Sequence, residues 1–190
     1  NDMTQLIPQK NLSGDQIEEL KQKASENFWP HARHTKNMFN EVGLQFVSSA
    51  KGVWVDDVSG NRWFDTLAGM FLVNIGHGRK EIAEAVYSQM SQISYSPGGT
   101  VTPVTAELTH RVAQLSPDKK SRVYLVSGGS EAVESALKMA KNYQLNVGES
   151  RRWKVISRRR SYHGTTHAAM SLGGGGINAL QNYGPLMPGN

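Results

Sequence analysis

The residues best suited to chemistry lie between Arg122 and Gly164. Val123 to Val126 alternate and are β-branched, which predicts a short strand running into Gly128-Gly129. Ser130 stands where a helix N-cap belongs, ahead of Val133, Ala136, Leu137, Ala140 and Tyr143 on one helical face. A strand, a glycine turn and a capped helix form an anion site, because backbone N–H groups and the positive end of the helix dipole converge there. A tight βα connection without a ligand uses the same residue types. No Gly-Lys-Ser/Thr follows, and the glycines are not spaced as in a dinucleotide fold. A second predicted strand, Trp153 to Ser157, leads to Tyr162-His163-Gly164. Ligands gather at the carboxyl ends of strands in open α/β sheets, so an aromatic ring and a phosphate cradle would face one crevice.

The elements before this stretch read as a scaffold. Residues 1–12 lack periodicity and read as a loose or partner-bound terminus. Ser13 and Gln16 have capping-box spacing, Ile17, Leu20, Ala24 and Phe28 share a helical face, and Pro30 stops the helix. Phe46-Val47, Val53-Trp54-Val55 and Trp63-Phe64 predict an antiparallel meander, with Ser59-Gly60-Asn61 as the second turn. In the glycine-flanked segment Leu67 to Gly78, Asn74 and His77 are either ligand contacts or loop-stabilising groups. His77 has no cysteine, nearby second histidine or acidic partner at metal-ligand spacing, so no metal site is expected. Arg79 to Ile93 predicts an amphipathic helix, and Ser94 to Thr100 breaks it at a domain boundary, giving segments 1–95 and 96–190. Thr102 caps a further helix with Pro103 at its first position, ending near Leu115. Gly148 ends the helix that follows Ser130, and Gly173 to Gly176 predict a flexible loop.

Composition narrows the class. The chain has 190 residues, enough for a substantial core, and mixed charge suited to a soluble globular protein. No apolar run approaches a membrane span, and no signal-peptide pattern is present. Cysteine is absent, which excludes disulfides and thiolate metal sites and is compatible with a cytoplasmic location. The net charge of +5 and the runs Arg151-Arg152 and Arg158-Arg159-Arg160 raise nucleic-acid binding. No interleaved aromatic or helix-turn-helix pattern accompanies these arginines, so a basic rim or subunit contact is the preferred reading and no nucleic-acid partner is expected.

Ser127 to Lys141 and Ser161-Tyr162-His163-Gly164-Thr165-Thr166 closely resemble the class III pyridoxal-phosphate aminotransferases, the ω-transaminase group. Gly69 to Arg79 and Thr102 to Leu108 resemble them too, with the motifs in the family's order from about Phe28 onward. The resemblance implies an α/β fold of the PLP-dependent transferase fold type I, aspartate-aminotransferase-like. It would comprise a small α+β N-terminal domain and the start of a large, mostly parallel-sheet domain. It also implies pyridoxal 5'-phosphate as cofactor. Gly129 and Ser130 would bind its phosphate, Gly128 would shape the turn, Tyr162 would stack on its ring and His163 would shape the adjoining loop. Phe71 takes the place where many relatives carry a Trp beside the substrate, and Trp29 lies near the family's substrate entrance. Pro97, Gly98 and Thr100 correspond to a loop reaching the neighbouring subunit of a homodimer.

The family's catalytic lysine and its pyridine-pairing aspartate come later in the chain than these residues, and Lys138 and Lys141 do not replace that lysine. The catalytic residues are therefore unassigned here. The expectation is an N-terminal part of an aminotransferase, inactive without the C-terminal part, that moves an amino group from an amine or ω-amino acid to a keto acid such as pyruvate. A related aminomutase or lyase, and a non-catalytic phosphate-ligand or assembly module, are the alternatives.

Overall fold

A computed structural model describes residues 12–31, 45–173, 183–185 and 187. The predicted terminal segment up to residue 11, Gly174 to Gly176, and most of the closing stretch after Tyr183 lie outside the described residues. The chain divides into two compact units, Asn1–Pro97 and Gly98–Asn190.

In the first unit, helix α1 spans Gly14–Asn27. Ser13 caps it with both bonds of a capping box: the Ser13 N–H donates to Gln16 Oε1 at 2.9 Å, and the Gln16 N–H to Ser13 Oγ at 3.3 Å. Strands β1 (Val47–Lys51), β2 (Trp54–Asp57) and β3 (Arg62–Phe64) form an antiparallel sheet in the order β1-β2-β3. Trp54 lies opposite Phe64, and their rings meet edge to face with centroids 5.3 Å apart. The β2–β3 turn is organised by buried Asp57. Its Oδ1 accepts the N–H groups of Ser59 (2.9 Å) and Asn61 (2.7 Å), and its Oδ2 accepts the Asn61 side chain (2.8 Å). Beyond β3, α2 (Ala68–Phe71) is one left-handed turn, and α3 covers Lys80–Gln92. The loop between them is stitched to the β1–β2 connection by paired Gly52–His77 backbone bonds of 2.9 and 2.8 Å. Gly78 lies beside that connection, where an added Cβ would stand 2.8 Å from the Ala50 carbonyl oxygen.

In the second unit, α4 spans Pro103–Leu115, with Thr102 as N-cap and Pro103 in the first turn, as the sequence leads one to expect. Helix α5 spans Gly129–Asn146 and ends at Val147-Gly148; α6, His167–Leu172, was not anticipated. Its buried residues Ala169 and Leu172 supply apolar core in this unit. The predicted strands Val123–Val126 and Trp153–Ser157 are not formed: neither segment is a β-strand. A strand exists only through its neighbours, and no described segment pairs with either run, so propensity goes unexpressed. Tyr124, Leu125, Val126 and Ile156 are accordingly exposed.

Replacing Asp57 with Ala strands three donors of the β2–β3 turn. Its carboxyl lies below the usual range: burial opposes ionisation, but the Asn61 side chain and the N–H groups of Asn61, Ser59 and Gly60 outweigh it. We expect Asp57→Ala to lower stability by roughly 2 kcal/mol in urea unfolding followed by tryptophan fluorescence. Asp57→Asn, which keeps an acceptor, should cost less.

Candidate functional site

The glycine turn and the Tyr-His-Gly motif meet in the second unit, and the meeting is made by short-range packing. Helix α5 starts two residues earlier than the sequence suggests: extended Gly128 is its N-cap, Gly129 is its first helical residue, and Ser130 lies within the first turn. Ser130 is therefore not the N-cap. The reason is visible one turn on, where Glu131 Oε2 accepts the Ser127 N–H at 2.8 Å and draws the approaching chain over the helix end. No side chain caps the helix at Gly128, which leaves first-turn donors to an outside acceptor.

Freed from capping, Ser130 reaches across to the second motif. Its Oγ accepts the Thr165 N–H at 2.9 Å, so the hydroxyl hydrogen is left to donate elsewhere. Four residues along the same face, Glu134 Oε1 accepts the Ala168 N–H at 3.2 Å and caps α6 from outside. Thr166, the N-cap of α6, makes no side-chain cap bond of its own. Its buried hydroxyl lies beside Glu134 outside full hydrogen-bond geometry. This hydroxyl is the first influence holding the Glu134 carboxyl below its ordinary range, against burial and together with the Ala168 and Ala169 N–H groups and Lys138. The sequence does not single out Glu134; its spacing of four residues from Ser130 is the signal that places both on one helical face.

Gly164 makes the approach possible. Its backbone, at φ +139°, packs so closely that an added Cβ would stand 2.5 Å from Ser130 Oγ and 2.9 Å from both Ser130 Cα and Ala169 Cβ. Gly128 and Gly129 differ: a Cβ on either meets nothing within 4 Å, and neither has positive φ. Packing within the chain does not require glycine there, so the space beside them is open to a ligand. Next to Gly164, Tyr162 is 78% exposed, and the Nε2 of His163 is buried without a hydrogen-bond partner.

Of the predicted site residues, Gly128, Gly129, Ser130, Tyr162 and His163 thus fall on two segments joined by the Ser130–Gly164 contact. Phe71 (75% exposed) and Trp29 (80% exposed) belong to the first unit, and the predicted cross-subunit residues Pro97, Gly98 and Thr100 fall where one unit gives way to the other. His77 does have an acidic partner, contrary to expectation: Asp65 Oδ2 lies 2.9 Å from its Nε2. Among the described residues no group of three or more His, Cys, Asp or Glu side chains is placed to hold a metal ion.

An uncapped helix N-terminus with open glycines, a free serine hydroxyl and a neighbouring exposed tyrosine fits a cofactor that carries both a phosphate and an aromatic ring. The class-III aminotransferase profile matches residues 36–189, and the chain belongs to that family. It is 38% identical over 172 residues to a probable aminotransferase of Mycobacterium tuberculosis, covering 90% of this chain and 36% of that protein. A β-alanine–pyruvate aminotransferase of Pseudomonas aeruginosa is 37% identical over 144 residues, covering 75% and 32% respectively. Among solved structures, a thermostable (S)-enantioselective ω-transaminase from Thermomicrobium roseum superposes with a TM-score of 0.84 at 36% identity, covering 91% of this chain and 38% of that one. The chain thus spans about a third of the length of the relatives it matches. The fold is that of PLP-dependent transaminases, and the family uses pyridoxal phosphate.

Two outcomes follow from this geometry. Gly164→Ala should part Ser130 from Thr165, so the Thr165 amide should exchange with solvent at least about tenfold faster while α4 amides hold. For Glu134 the folded pKa lies below the model-compound value of 4.5. Its contribution to stability is therefore complete above that value and lost as pH falls through the lower folded one. Denaturation of Glu134→Gln across this acidic range should show a weaker dependence on pH than the parent chain.

Proposed function

We propose that these residues form the phosphate-anchoring end of the cofactor site of an aminotransferase that moves an amino group from an amine or ω-amino acid to a keto acid such as pyruvate. The observation that carries the reading is the open space at Gly128 and Gly129, beside an uncapped helix N-terminus, where nothing in the chain itself calls for glycine.

In this reading the Gly129 and Ser130 N–H groups and the Ser130 hydroxyl donate to the phosphate, while the Thr165 N–H fixes the hydroxyl's rotamer by donating to its oxygen. Gly128 keeps the turn low enough for the phosphate to approach. Tyr162, exposed beside Gly164, offers its face to the pyridine ring and excludes water from it; His163 holds that loop. Pyridoxal phosphate, when bound, supplies an electron sink that lets an amino group pass between carbon skeletons. Phe71 and Trp29 serve as apolar walls for the donor, with Phe71 setting pocket width. Pro97, Gly98 and Thr100 reach the neighbouring subunit of a homodimer in the cytoplasm. Among the described residues no helix is long and apolar enough to cross a membrane.

Titration with pyridoxal phosphate, followed by absorbance, tests the anchoring roles. Ser130→Ala removes a hydrogen bond to a charged group and should weaken binding roughly 10- to 100-fold. Tyr162→Ala should weaken it by about tenfold, and Tyr162→Phe should restore it. Binding to Ser130→Ala as tight as to the parent chain would overturn the assignment. Transfer itself is read as alanine formed from pyruvate and an ω-amino acid by the complete enzyme that carries these residues.

A further inference from the structure

Asp65, immediately after β3, accepts three hydrogen bonds. Its Oδ1 takes the Leu67 N–H at 3.1 Å, and its Oδ2 takes the Gly69 N–H at 2.7 Å and lies 2.9 Å from His77 Nε2. The His77 ring hydrogen bond, against burial and with the Gly69 and Leu67 N–H groups, holds the Asp65 carboxyl below its ordinary range. His77 is itself immobilised, since its N–H and C=O both pair with Gly52 at the β1–β2 connection. A continuous set of hydrogen bonds therefore runs from the sheet through His77 and Asp65 to the amide of Gly69.

What that amide begins is unusual for an L-peptide. Ala68, Gly69, Met70 and Phe71 all have left-handed φ, at 47°, 59°, 58° and 74°. The turn closes through Phe71 N–H to Leu67 O (2.8 Å) and Leu72 N–H to Ala68 O (3.0 Å). Three of these four residues carry a Cβ, and they adopt this conformation only under constraint, because each Cβ is forced against the following carbonyl. The strain is not offset by burial: Met70, Phe71 and Leu72 are 72, 75 and 85% exposed. A strained turn, anchored at its base and displaying apolar side chains, is a device for presentation.

We propose that Asp65, clamped by His77, is a positioning residue that holds the left-handed turn 68–71 and so fixes Phe71 in the wall of the donor pocket. This rests on the reading of Phe71 as a pocket residue given above. Asp65 touches neither donor nor cofactor. It acts through the backbone of Leu67 and Gly69, and the breadth of donors accepted depends on it because a loosened turn frees Phe71 to move.

The mild variants Asp65→Asn, His77→Leu and His77→Gln test this in the 190-residue chain by amide exchange. Asp65→Asn cannot accept all three bonds, and we expect its Gly69 amide to exchange at least about tenfold faster, with Asp57 and the β1–β2 ladder unchanged. His77→Leu should do the same, and His77→Gln, which retains a side-chain N–H donor, should restore most of the protection. Unchanged Gly69 exchange in Asp65→Asn, or equal acceleration throughout the sheet, would overturn the positioning role. The second readout is made in the complete enzyme, comparing β-alanine with a bulky aryl amine. Asp65→Asn should alter the ratio of their KM values several-fold while pyridoxal phosphate binding stays as in the parent, with Phe71→Ala as the control. If Phe71→Ala alters the ratio and Asp65→Asn does not, the proposal fails and the pocket reading stands. If neither alters it, the pocket reading fails and the link from Asp65 to donor choice fails with it.

Discussion

Ser130 and Gly164 approach so closely that there is no room between them for a single methyl group. Much of the site's geometry depends on that exclusion. It lets Ser130 Oγ reach the Thr165 N–H, which leaves the hydroxyl proton free to donate elsewhere. A side chain at Gly164 would have to push α5 from the loop, and interiors packed to near-crystalline density do not absorb such a shift locally. The glycine positions Ser130 although it carries no group of its own. Its neighbours Gly128 and Gly129 play the opposite part, since their missing side chains leave space that nothing in the chain occupies.

Carboxylates do comparable work at four points. Asp57 gathers the β2–β3 turn, Asp65 the left-handed turn, Glu131 the approach to α5, and Glu134 the start of α6. Each accepts a backbone N–H that irregular chain would otherwise leave without a partner in the protein; at Asp57 and Glu134 the bonds are partly buried, where an unpaired donor costs most. This explains how defined loops form where few of the described side chains are buried. The hydrophobic contribution is thin among the described residues, where the buried apolar set is Val58, Ala113, Ala169 and Leu172, so loop geometry is set by directional bonds.

How much was legible follows from how far each determinant reaches along the chain. Capping is local, so Ser13-Gln16 and Thr102-Pro103 announced their helices to within a residue. The meander was legible because its turns bring partners together over a few residues. Strand character at Val123–Val126 and Trp153–Ser157 was also visible in the sequence, but ladders need partners that local pattern does not supply, and there the expectation failed. Ser130 was misplaced as an N-cap because the preference for serine at helix ends is a statistical one. Its hydroxyl serves a residue 35 positions away, which no local rule registers. The left-handed turn was hidden for a related reason: Ala, Met and Phe carry no signal for positive φ, and the constraint that imposes it comes from Asp65 and from His77, twelve residues further on.

These distances also separate two kinds of constraint within the chain. The residues of the proposed cradle sit in the second unit, on a helix start and a loop held together at Gly164, where no side chain fits. The apolar residues at 70–72 sit in the first unit on a turn whose backbone is held from its base, by hydrogen bonds that do not involve their side chains. A side chain there can change without disturbing the bonds that hold the turn. Strain tolerated at such a place has a physical use: it keeps the displayed residue rigid while leaving its identity unconstrained. The contact at Gly164 and the turn at 68–71 are thus constrained in different ways, the first by volume and the second by the direction of its hydrogen bonds.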